Sequence, residues 1–369
     1  MAHLDVVGAR KEDWSFDPFA FREDDGYYYG RGSSDNKAGA AMLVANFVRY
    51  KREGYVSSRD LIVVLTGDEE TSGDGIQGLL QKHRDLLDSD FALNTDAGGG
   101  ELRNGKATSF SVQTAEKVYL TFLLETRNKG GHSSVPEPSN AIYQLTRALN
   151  RLANYTFPVR LNETTREYFN KTAPTQPKAL GADMRAVAKN GNSEAARRLS
   201  AAAPYYNALL RTTCVATRLF AGHADNALPQ LARATVNCRI LPDQPPDSVE
   251  ATIKRVLADT GVHISRERQP TLSPASPLRP DVMQPVSTLT HKMWPGAAIV
   301  PEMSTGATDG LYVRNAGIPV YGVSAVFERI DDIRAHGRDE RIGVKAYHEA
   351  AAYWYDLVKQ LSGERAPES

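Results

Sequence analysis

The sequence predicts an α/β fold in which a mixed, mostly parallel sheet is flanked by helices and interrupted by a smaller α+β domain. Short apolar runs alternate with helical patterns over residues 1–96, and this alternation is typical of parallel sheets. From about residue 117 the pattern changes to longer strands and a polar, Ala-rich stretch. The chain has 369 residues, which is enough for about two domains.

The first part of the predicted sheet domain covers residues 1–116. Lys37 to Arg52 carries apolar residues with helical spacing, and Ser33-Ser34-Asp35 predicts its start. In order, the predicted elements are a strand end within 1–8, a loop with a short hairpin within 13–31, a helix at Lys37–Arg52, a buried strand at Asp60–Thr66, a helix at Gly75–Leu87 and a strand at Phe91–Asn94.

The predicted inserted domain covers residues 117–270 and has the strand and helix content of a small, ferredoxin-like α+β unit. Its predicted elements are a strand at Val118–Thr126, a helix at Asn140–Leu152, a helical insertion at about 160–210, strands at Thr213–Arg218 and Ala232–Ile240, a helix at Pro246–Asp259 and a strand at Val262–Arg266. Residues 269–280 contain four prolines and predict the return linker. Residues 271–369 then resume the sheet domain, with a strand at Val320–Val323, a long terminal helix and a polar tail.

Composition and charge exclude several classes of partner. Lys and Arg total 44, and Asp and Glu also total 44, so no nucleic acid is expected as a partner. The sequence contains no run of 18 apolar residues, so no membrane span is expected. A signal peptide pattern is also absent. We therefore expect a soluble protein whose compartment, periplasmic or cytoplasmic, stays open.

The two cysteines, Cys214 and Cys238, are too few for a disulfide framework. We interpret them as two buried thiols. One bridge between neighbouring strands is the alternative.

Residue types that bind metals cluster where the predicted strands end. They are His3, Asp5, Asp35, Glu69, Glu70, Asp96 and His336. In an open α/β sheet, ligands gather beyond the carboxyl ends of the strands. His3 and Asp5 face the same side of a strand, so an imidazole could bind a metal while the carboxylate orients it. Each residue alone is more often structural, but together they form the mixed N/O ligand set that suits zinc, cobalt or manganese.

The motifs around these residues resemble the M20 metallopeptidases, in particular the larger carboxypeptidase-like and N-acyl-amino-acid hydrolase members. The resemblance extends from His3 to about residue 361. Its markers are AHLDVV, YGRGSSDNKAG, TGDEETSG, LNTDAGGG, GGHSSVP, NALP, NCRILP, GATDG and AHGRDE.

The resemblance implies a centre of two zinc ions, or of cobalt or manganese in their place. Asp35 would bridge the two ions. His3 and Asp96 would complete one site, and Glu70 and His336 would complete the other. The bridging aspartate of the family is typically followed by a cis peptide bond, so a cis Asp35–Asn36 bond is expected.

The resemblance also assigns the catalytic residues. Glu69 would be the general base that takes a proton from a water bridging the metals and later returns it to the leaving amine. Asp5 would hold His3 in place. His132 would reach across a homodimer to the substrate carbonyl of the partner subunit, where one good donor stabilises an oxyanion by about 3–4 kcal/mol.

The remaining implied contacts concern the substrate. Arg239 would bind its carboxylate through two parallel hydrogen bonds, and Asn226, Gly306 and Thr308 would also contact it. Residues 117–270 would form a lid that also dimerises. The expected reaction is hydrolysis of a peptide or amide bond beside an amino acid with a free carboxylate, as in a carboxypeptidase. The alternative within the same class is an N-acyl-amino-acid hydrolase.

The position of the HLD motif supports a third interpretation, from another class. Family members carry roughly a hundred residues before this motif, whereas here His3 is almost the first residue. We therefore expect an N-terminally shortened chain with weaker metal binding at His3. The rival to an active enzyme is an inactive scaffold that only dimerises.

Overall fold

The computed structural model describes residues 1–329 and 331–365. Its strands are β1 (Ala2–His3), β2 (Arg22–Asp24), β3 (Tyr27–Tyr29), β4 (Leu65–Thr66), β5 (Ala92–Asn94), β6 (Gly99–Arg103), β7 (Lys106–Glu116), β8 (Val118–Arg127), β9 (Gly131–His132), β10 (Thr213–Ala221), β11 (Ala227–Leu228), β12 (Leu231–Ile240), β13 (Val262–Arg266), β14 (Ala298–Ser304), β15 (Val320–Gly322), β16 (Phe327–Arg329) and β17 (Arg341–Gly343). Its α-helices are α1 (Lys37–Glu53), α2 (Asp74–Lys82), α3 (Arg84–Leu87), α4 (Ala141–Ala153), α5 (Glu163–Thr172), α6 (Lys178–Asn190), α7 (Ser193–Ala202), α8 (Pro204–Leu210), α9 (Pro246–Leu257), α10 (Pro280–Met293), α11 (Gly310–Asn315) and α12 (Val344–Ser362).

A mixed sheet with the order β16-β6-β7-β15-β5 organises the first and last thirds of the chain, and β14 also pairs with β7. The β14–β7, β15–β5 and β16–β6 pairs are parallel, and β6–β7 is antiparallel. Phe110 on β7 packs against Trp294, which directly follows α10, and against Tyr353 on α12. The predicted α/β class, with a mixed sheet flanked by helices, is confirmed.

A separate antiparallel sheet has the order β10-β12-β8-β13 and packs on α4 and α9. Alternate residues of β12 are buried, as expected for a strand with one face against helices. Cys214 on β10 lies directly opposite Cys238 on β12, and the two form a disulfide with a Cα–Cα distance of 4.1 Å. Our interpretation of two buried thiols is therefore wrong, and the alternative, one bridge between neighbouring strands, is confirmed. The register of β10 and β12 places the two cysteines opposite each other, and the spacing of the cysteines in the sequence does not reveal this register.

Four helices, α5 to α8, form the insertion that the sequence predicts at about 160–210. Phe169, Met184 and Leu199 are fully buried in a core of their own. Ala115 of β7 and Met303 of β14 belong to the same core, so the helices are anchored on the mixed sheet.

Two local predictions differ from the structure. The sequence predicts a strand at Asp60–Thr66. Only Leu65 and Thr66 of this run pair with another strand, the two-residue strand β1. The helix expected at Gly75–Leu87 is divided at His83 into α2 and α3. The predicted domain boundaries at 116/117 and 270/271 stay predictions. Residues 366–369, part of the predicted polar tail, lie outside the described residues.

Among the described residues, no helix combines the length and the apolar character that crossing a membrane requires.

Candidate active site

The side chains predicted to bind metal converge from the ends of separate elements. His3 ends β1, Asp96 follows β5, and Glu70 lies in the turn after β4. Asp35 immediately precedes the start of α1, and His336 lies in the loop before β17. The parallel pairs β1–β4 and β15–β5 bring strand ends together, and the loops add the other two side chains. The Asp35–Asn36 peptide bond is cis, as expected.

Asp35 lies between two groups of potential ligands. Its Oδ1 is 3.0 Å from Nε2 of His3, and its Oδ2 is 3.0 Å from Nε2 of His336. Nε2 of His3 is also 3.4 Å from Oδ1 of Asp96. Nε2 of His336 is 2.8 Å from Oε1 of Glu70. Each oxygen of the Asp35 carboxylate therefore faces one histidine, and each of these histidines also lies close to a further acid.

These residues fit a centre of two divalent cations. One group is His3, Asp35 and Asp96, another is Asp35, Glu70 and His336, and the ligand atoms within each group lie within 4.8 Å of one another. Two imidazoles and three carboxylates are ligand types that zinc accepts. The shared residue is a carboxylate, whose two oxygens can serve two ions at once. A third group, His3 with Glu69 and Glu70, lies at the same place.

Burial and close contacts shift the pKa values of this cluster. Burial, followed by the charge of Asp96, raises the pKa of Glu69 to about 8. Burial also raises the pKa of Asp96 to about 6. Burial alone would lower the pKa of His3, but hydrogen bonds to Asp35 and Asp96 outweigh it and raise that pKa to about 11. The acids of this cluster outnumber its two histidines, and a buried excess of carboxylates favours the binding of cations.

Asp5 supports the cluster from behind. Its two carboxylate oxygens accept the backbone N–H groups of Glu69 and Glu70 at 3.1 and 3.0 Å. Its Oδ1 is also 3.4 Å from Nδ1 of His3. The Asp5 carboxylate thus holds the turn that carries Glu69 and Glu70, and it also contacts the imidazole ring of His3. Support of this kind orients the residues that touch a metal.

Glu340 is a residue of this site that the sequence did not reveal. It is fully buried, and its carboxylate accepts backbone N–H groups of Gly32, Ser34 and Asp35 at 2.9–3.1 Å. It also forms an ion pair of 2.6 Å with Arg31. The helix α1 begins at Lys37, as predicted, but its N-cap residue is Asn36 and not one of the predicted Ser33, Ser34 and Asp35. The signal in the sequence was an arginine and a glutamate, each inside a motif that carries a predicted metal ligand.

A cavity of about 240 Å³ opens beside the cluster. Besides the acids and His336, it is lined by Gln113, Glu302 and Thr308. The Thr308 N–H donates to Glu116 at 2.8 Å, and Glu116 is itself fully buried in an ion pair with Arg314. Thr308, predicted to contact substrate, therefore lies on a fixed loop next to the cluster. The Gly306 N–H donates to Ser304 in the same loop at 3.0 Å.

His132, Asn226 and Arg239 are not part of this cavity. His132 is exposed on β9, which pairs with β11, and the Ser133 N–H donates to the carbonyl of Asn226 at 3.1 Å. Arg239 lies on β12 with its guanidinium 4.6 Å from the ring centre of Tyr119. The structure thus brings His132 and Asn226 together, and neither residue lines the cavity beside the cluster.

The comparison with known families decides the identity. Residues 1–360 match the family described as peptidase family M20/M25/M40. The chain belongs to that family. As an M20 protein it is a hydrolytic enzyme of the metallopeptidase and amidohydrolase kind. M20 metallopeptidases depend on metal, typically zinc, and the acids and histidines at the strand ends are residues of this M20 chain that could hold it.

Individual M20 relatives agree with this assignment. The chain is 29% identical over 385 residues to human N-fatty-acyl-amino acid synthase/hydrolase PM20D1, covering 100% of this chain and 75% of that protein. It is 26% identical over 378 residues to the probable carboxypeptidase S-like 2 of Dictyostelium discoideum, covering 97% and 70%. Its fold resembles the M20 family metallo-carboxypeptidase Sso-CP2 from Sulfolobus solfataricus, with a TM-score of 0.72, 20% identity and coverage of 98% and 84%.

Proposed function

We propose that the chain hydrolyses the amide bond between an acyl group and an amino acid with a free carboxylate. Two divalent cations, expected to be zinc, would be held by His3 and Asp96, by Glu70 and His336, and by Asp35 between them. The observation that carries this proposal is the Asp35 carboxylate, whose two oxygens each lie 3.0 Å from a different histidine.

When bound, the two cations supply Lewis acidity, which activates a water and polarises the scissile carbonyl. Glu69 then carries the proton. Its carboxylate accepts a proton from the attacking water and donates it to the nitrogen of the leaving amine. Burial gives Glu69 a pKa of about 8, and positive charge beside it draws that pKa back towards the working pH. Asp5 keeps Glu69 in place through the backbone N–H that it accepts.

The lid and the dimer are part of the same proposal. Residues 117–270 would act as the lid, and a homodimer formed through it would bring His132 of one subunit to the carbonyl of a substrate bound to the other. His132 is exposed and lies beside Asn226, and neither residue lines the cavity of its own chain, which supports action on a partner subunit. Arg239 would bind the substrate carboxylate, with Gly306 and Thr308 lining the approach.

Two substrate classes meet this description. N-acyl amino acids are favoured by the human relative named as an N-fatty-acyl-amino acid synthase/hydrolase. Peptides with a free carboxyl terminus are favoured by the relative named as a probable carboxypeptidase. The same site would serve both, because the scissile bond and the carboxylate are common to them.

The test combines metal analysis with a substrate panel. Purified protein loaded with zinc should contain two zinc ions per chain and should hydrolyse N-acyl amino acids, dipeptides or both. An Asp35→Ala variant should lose both ions, because both groups share this residue. Zinc-loaded protein with no amide hydrolase activity on either class would overturn the proposal. So would an Asp35→Ala variant that still binds two ions tightly.

The shared site across subunits has its own test. His132→Ala and Glu69→Gln should each be inactive as homodimers. Mixed and allowed to exchange subunits, they should recover part of the activity, because one heterodimer site has both residues intact. Activity that does not return after verified exchange would show that His132 does not act across subunits.

A further inference from the structure

Gln113 on β7 is a buried polar residue whose side chain is not hydrogen-bonded to any described residue. It is 1% exposed, and neither Oε1 nor Nε2 of its carboxamide has a hydrogen-bond partner in the part of the chain that the structure describes. Most buried side-chain polar atoms are paired, because a buried amide without a partner loses its hydrogen bonds to water and gains none in return. A side chain with both polar atoms unpaired therefore points to a ligand.

Gln113 lines the small cavity beside the cluster. This cavity has a volume of about 240 Å³, and Asp35, Glu69 and Asp96 line it together with Gln113. Small-molecule sites usually occupy roughly 300–1,000 Å³, so a group bound in this smaller space is close to the acids and to Gln113 at the same time. The carboxamide offers such a group two N–H donors and one acceptor oxygen.

The neighbouring strands leave room for the glutamine side chain. Gln113 lies opposite Gly322 on β15 and opposite Glu302 on β14. A Cβ atom at Gly322 would lie 2.8 Å from Cβ and 2.9 Å from Oε1 of Gln113, so a larger residue there would displace the glutamine. The Glu302 carboxylate accepts a hydrogen bond from the Tyr205 hydroxyl at 3.3 Å. These neighbours therefore accommodate the glutamine without pairing its polar atoms.

The position of a second cavity shows which part of a ligand Gln113 would meet. This cavity has a volume of about 1070 Å³, and Asp35, Asp96 and Glu302 line both cavities, so the two spaces meet at these side chains. Tyr205 on α8, in the helical insertion, forms part of its wall. Gln113 lines only the small cavity of these two. Distant parts of a ligand thus have room in the larger cavity, and Gln113 is left for the group next to the cluster.

We propose that Gln113 is a catalytic residue that binds the reacting amide group, with Nε2 donating to its oxygen and Oε1 accepting from its N–H. The inference rests on the proposed function and adds a residue to it. In the first step a water oxygen bonds to the carbonyl carbon, the π pair of the C=O bond moves onto its oxygen, and Glu69 takes one proton of the water. In the second step that pair forms the C=O bond again, the C–N bond breaks, and the nitrogen keeps its electron pair and takes the proton from Glu69.

The geometry of a carboxamide favours the tetrahedral intermediate over the substrate. In the planar trans amide of a substrate, the C=O and N–H bonds point in opposite directions, so one carboxamide can pair with only one of them. In the tetrahedral intermediate the C–N bond is single and can rotate, so the N–H can turn to the side of the oxygen. Gln113 then forms both hydrogen bonds at once. An interaction that is gained only on the way to the transition state raises kcat and leaves substrate affinity nearly unchanged.

The experiment compares apolar replacements of Gln113 in zinc-loaded protein. Gln113→Met keeps the length of the side chain and removes both polar atoms, and Gln113→Leu is a second variant of the same kind. The control is Gln81→Met, at an exposed glutamine of α2. Values of kcat and KM are measured with N-acetyl leucine and with alanyl-leucine. Calorimetry measures the binding of two analogues of the tetrahedral intermediate, methylphosphonyl-leucine, which has a P–N–H group, and the matching phosphinate, which has CH₂ in place of this N–H.

We expect both Gln113 variants to lower kcat by about 10²–10³-fold, as the loss of an oxyanion donor does, with KM changed by less than about threefold and the control unchanged. Wild-type protein should bind the P–N–H analogue about tenfold more tightly than the phosphinate, and the Gln113 variants should lose this preference. An unchanged kcat in both variants, or a preference that survives both substitutions, would overturn the inference and leave the proposed function intact.

The analogues decide even if neither substrate is hydrolysed, in which case the proposed function fails. A preference for the P–N–H analogue that the Gln113 variants lose still supports the contact, and equal binding of the two analogues to wild-type protein, or no binding, overturns it. Urea unfolding of the metal-free proteins tests the starting point. Gln113→Met and Gln113→Leu should be at least as stable as the wild type, because they leave no buried amide unpaired. Two variants that are both less stable would show that the fold itself satisfies the amide, and this result would also overturn the inference.

Discussion

Glu340 controls the shape of the loop that carries Asp35. Three backbone N–H groups of residues 32–35 and the guanidinium of Arg31 all bind its carboxylate. Glu340 lies in the same loop as His336, so one buried acid links that loop to the loop that carries Asp35. The geometry of the site therefore depends on a residue that would not itself touch metal or substrate.

Replacing Glu340 should destabilise the protein strongly. In Glu340→Gln the buried guanidinium of Arg31 loses its counter-charge, and removing one partner of a buried pair costs about 3–5 kcal/mol. Urea unfolding of both proteins measures the difference. Glu349→Gln is the matched control, since its pair with Lys345 lies on the surface of α12 and should change stability by less than about 1 kcal/mol. Equal losses in both variants would refute the special role of Glu340.

Glu69 and Glu70 should separate catalysis from metal binding. Glu69→Gln should lower kcat by about 10²–10⁴-fold, because the amide cannot accept a proton, while metal content stays at the wild-type level. Glu70→Gln should lose metal, because Glu70 is the acid that meets His336 at 2.8 Å. Metal analysis beside kinetics checks both. Metal loss confined to the Glu69 variant would mean that the two roles are reversed.

At the scale of elements, strand ends position the site and the helical insertion adds a cavity wall. The sequence predicted the strand ends well, because apolar runs followed by acids are local patterns. It predicted β13 at Val262–Arg266 and nearly all of α1 for the same reason. Glu340 and the disulfide were missed because their partners are far away in the sequence. Arg31 precedes Glu340 by 309 residues, and only the register of β10 and β12 brings Cys214 to Cys238.

The disulfide should stabilise the edge of the four-stranded sheet. It closes a loop with a sequence separation of 24 residues, for which loop-closure entropy predicts about 3–4 kcal/mol. The double variant Cys214→Ser/Cys238→Ser should therefore unfold at lower urea concentration than the oxidised protein. Its zinc content should be unchanged, because the bridge lies outside the cluster. Unfolding curves that coincide for oxidised and Ser-substituted protein would contradict the prediction.

At the scale of the whole molecule, Lys117 lies where the chain passes from the mixed sheet to the antiparallel sheet, between β7 and β8. Its side chain is 1% exposed, and its Nζ donates to the carbonyl of Arg211 at 2.7 Å. Burial, followed by the charge of Arg239, lowers the pKa of Lys117 to about 7. The connection between β7 and β8 therefore carries a lysine whose charged form is unfavourable when buried.

This lysine should make stability depend on pH. Its pKa in the folded protein is below the unfolded value of 10.5, so the unfolded state binds more protons between these values. The free energy of unfolding should therefore rise as pH increases from about 7 to about 10, by up to roughly 4 kcal/mol at 1.36 kcal/mol per pKa unit. Lys117→Met keeps the shape of the side chain and should lack this rise. Urea unfolding at several pH values compares the two, and parallel curves would count against the prediction.

The residues of the cluster are far apart in the sequence, and this separation has a consequence for biosynthesis. His3, Asp35, Glu70 and Asp96 leave the ribosome before His336, which follows Glu70 by 266 residues. At about 5–20 residues per second, translation of that interval takes roughly 13 to 53 seconds. During this time the nascent chain has an acidic half-site without its second histidine and without the glutamate that shapes the Asp35 loop. If two cations bind as proposed, both can be held together only after His336 has been translated.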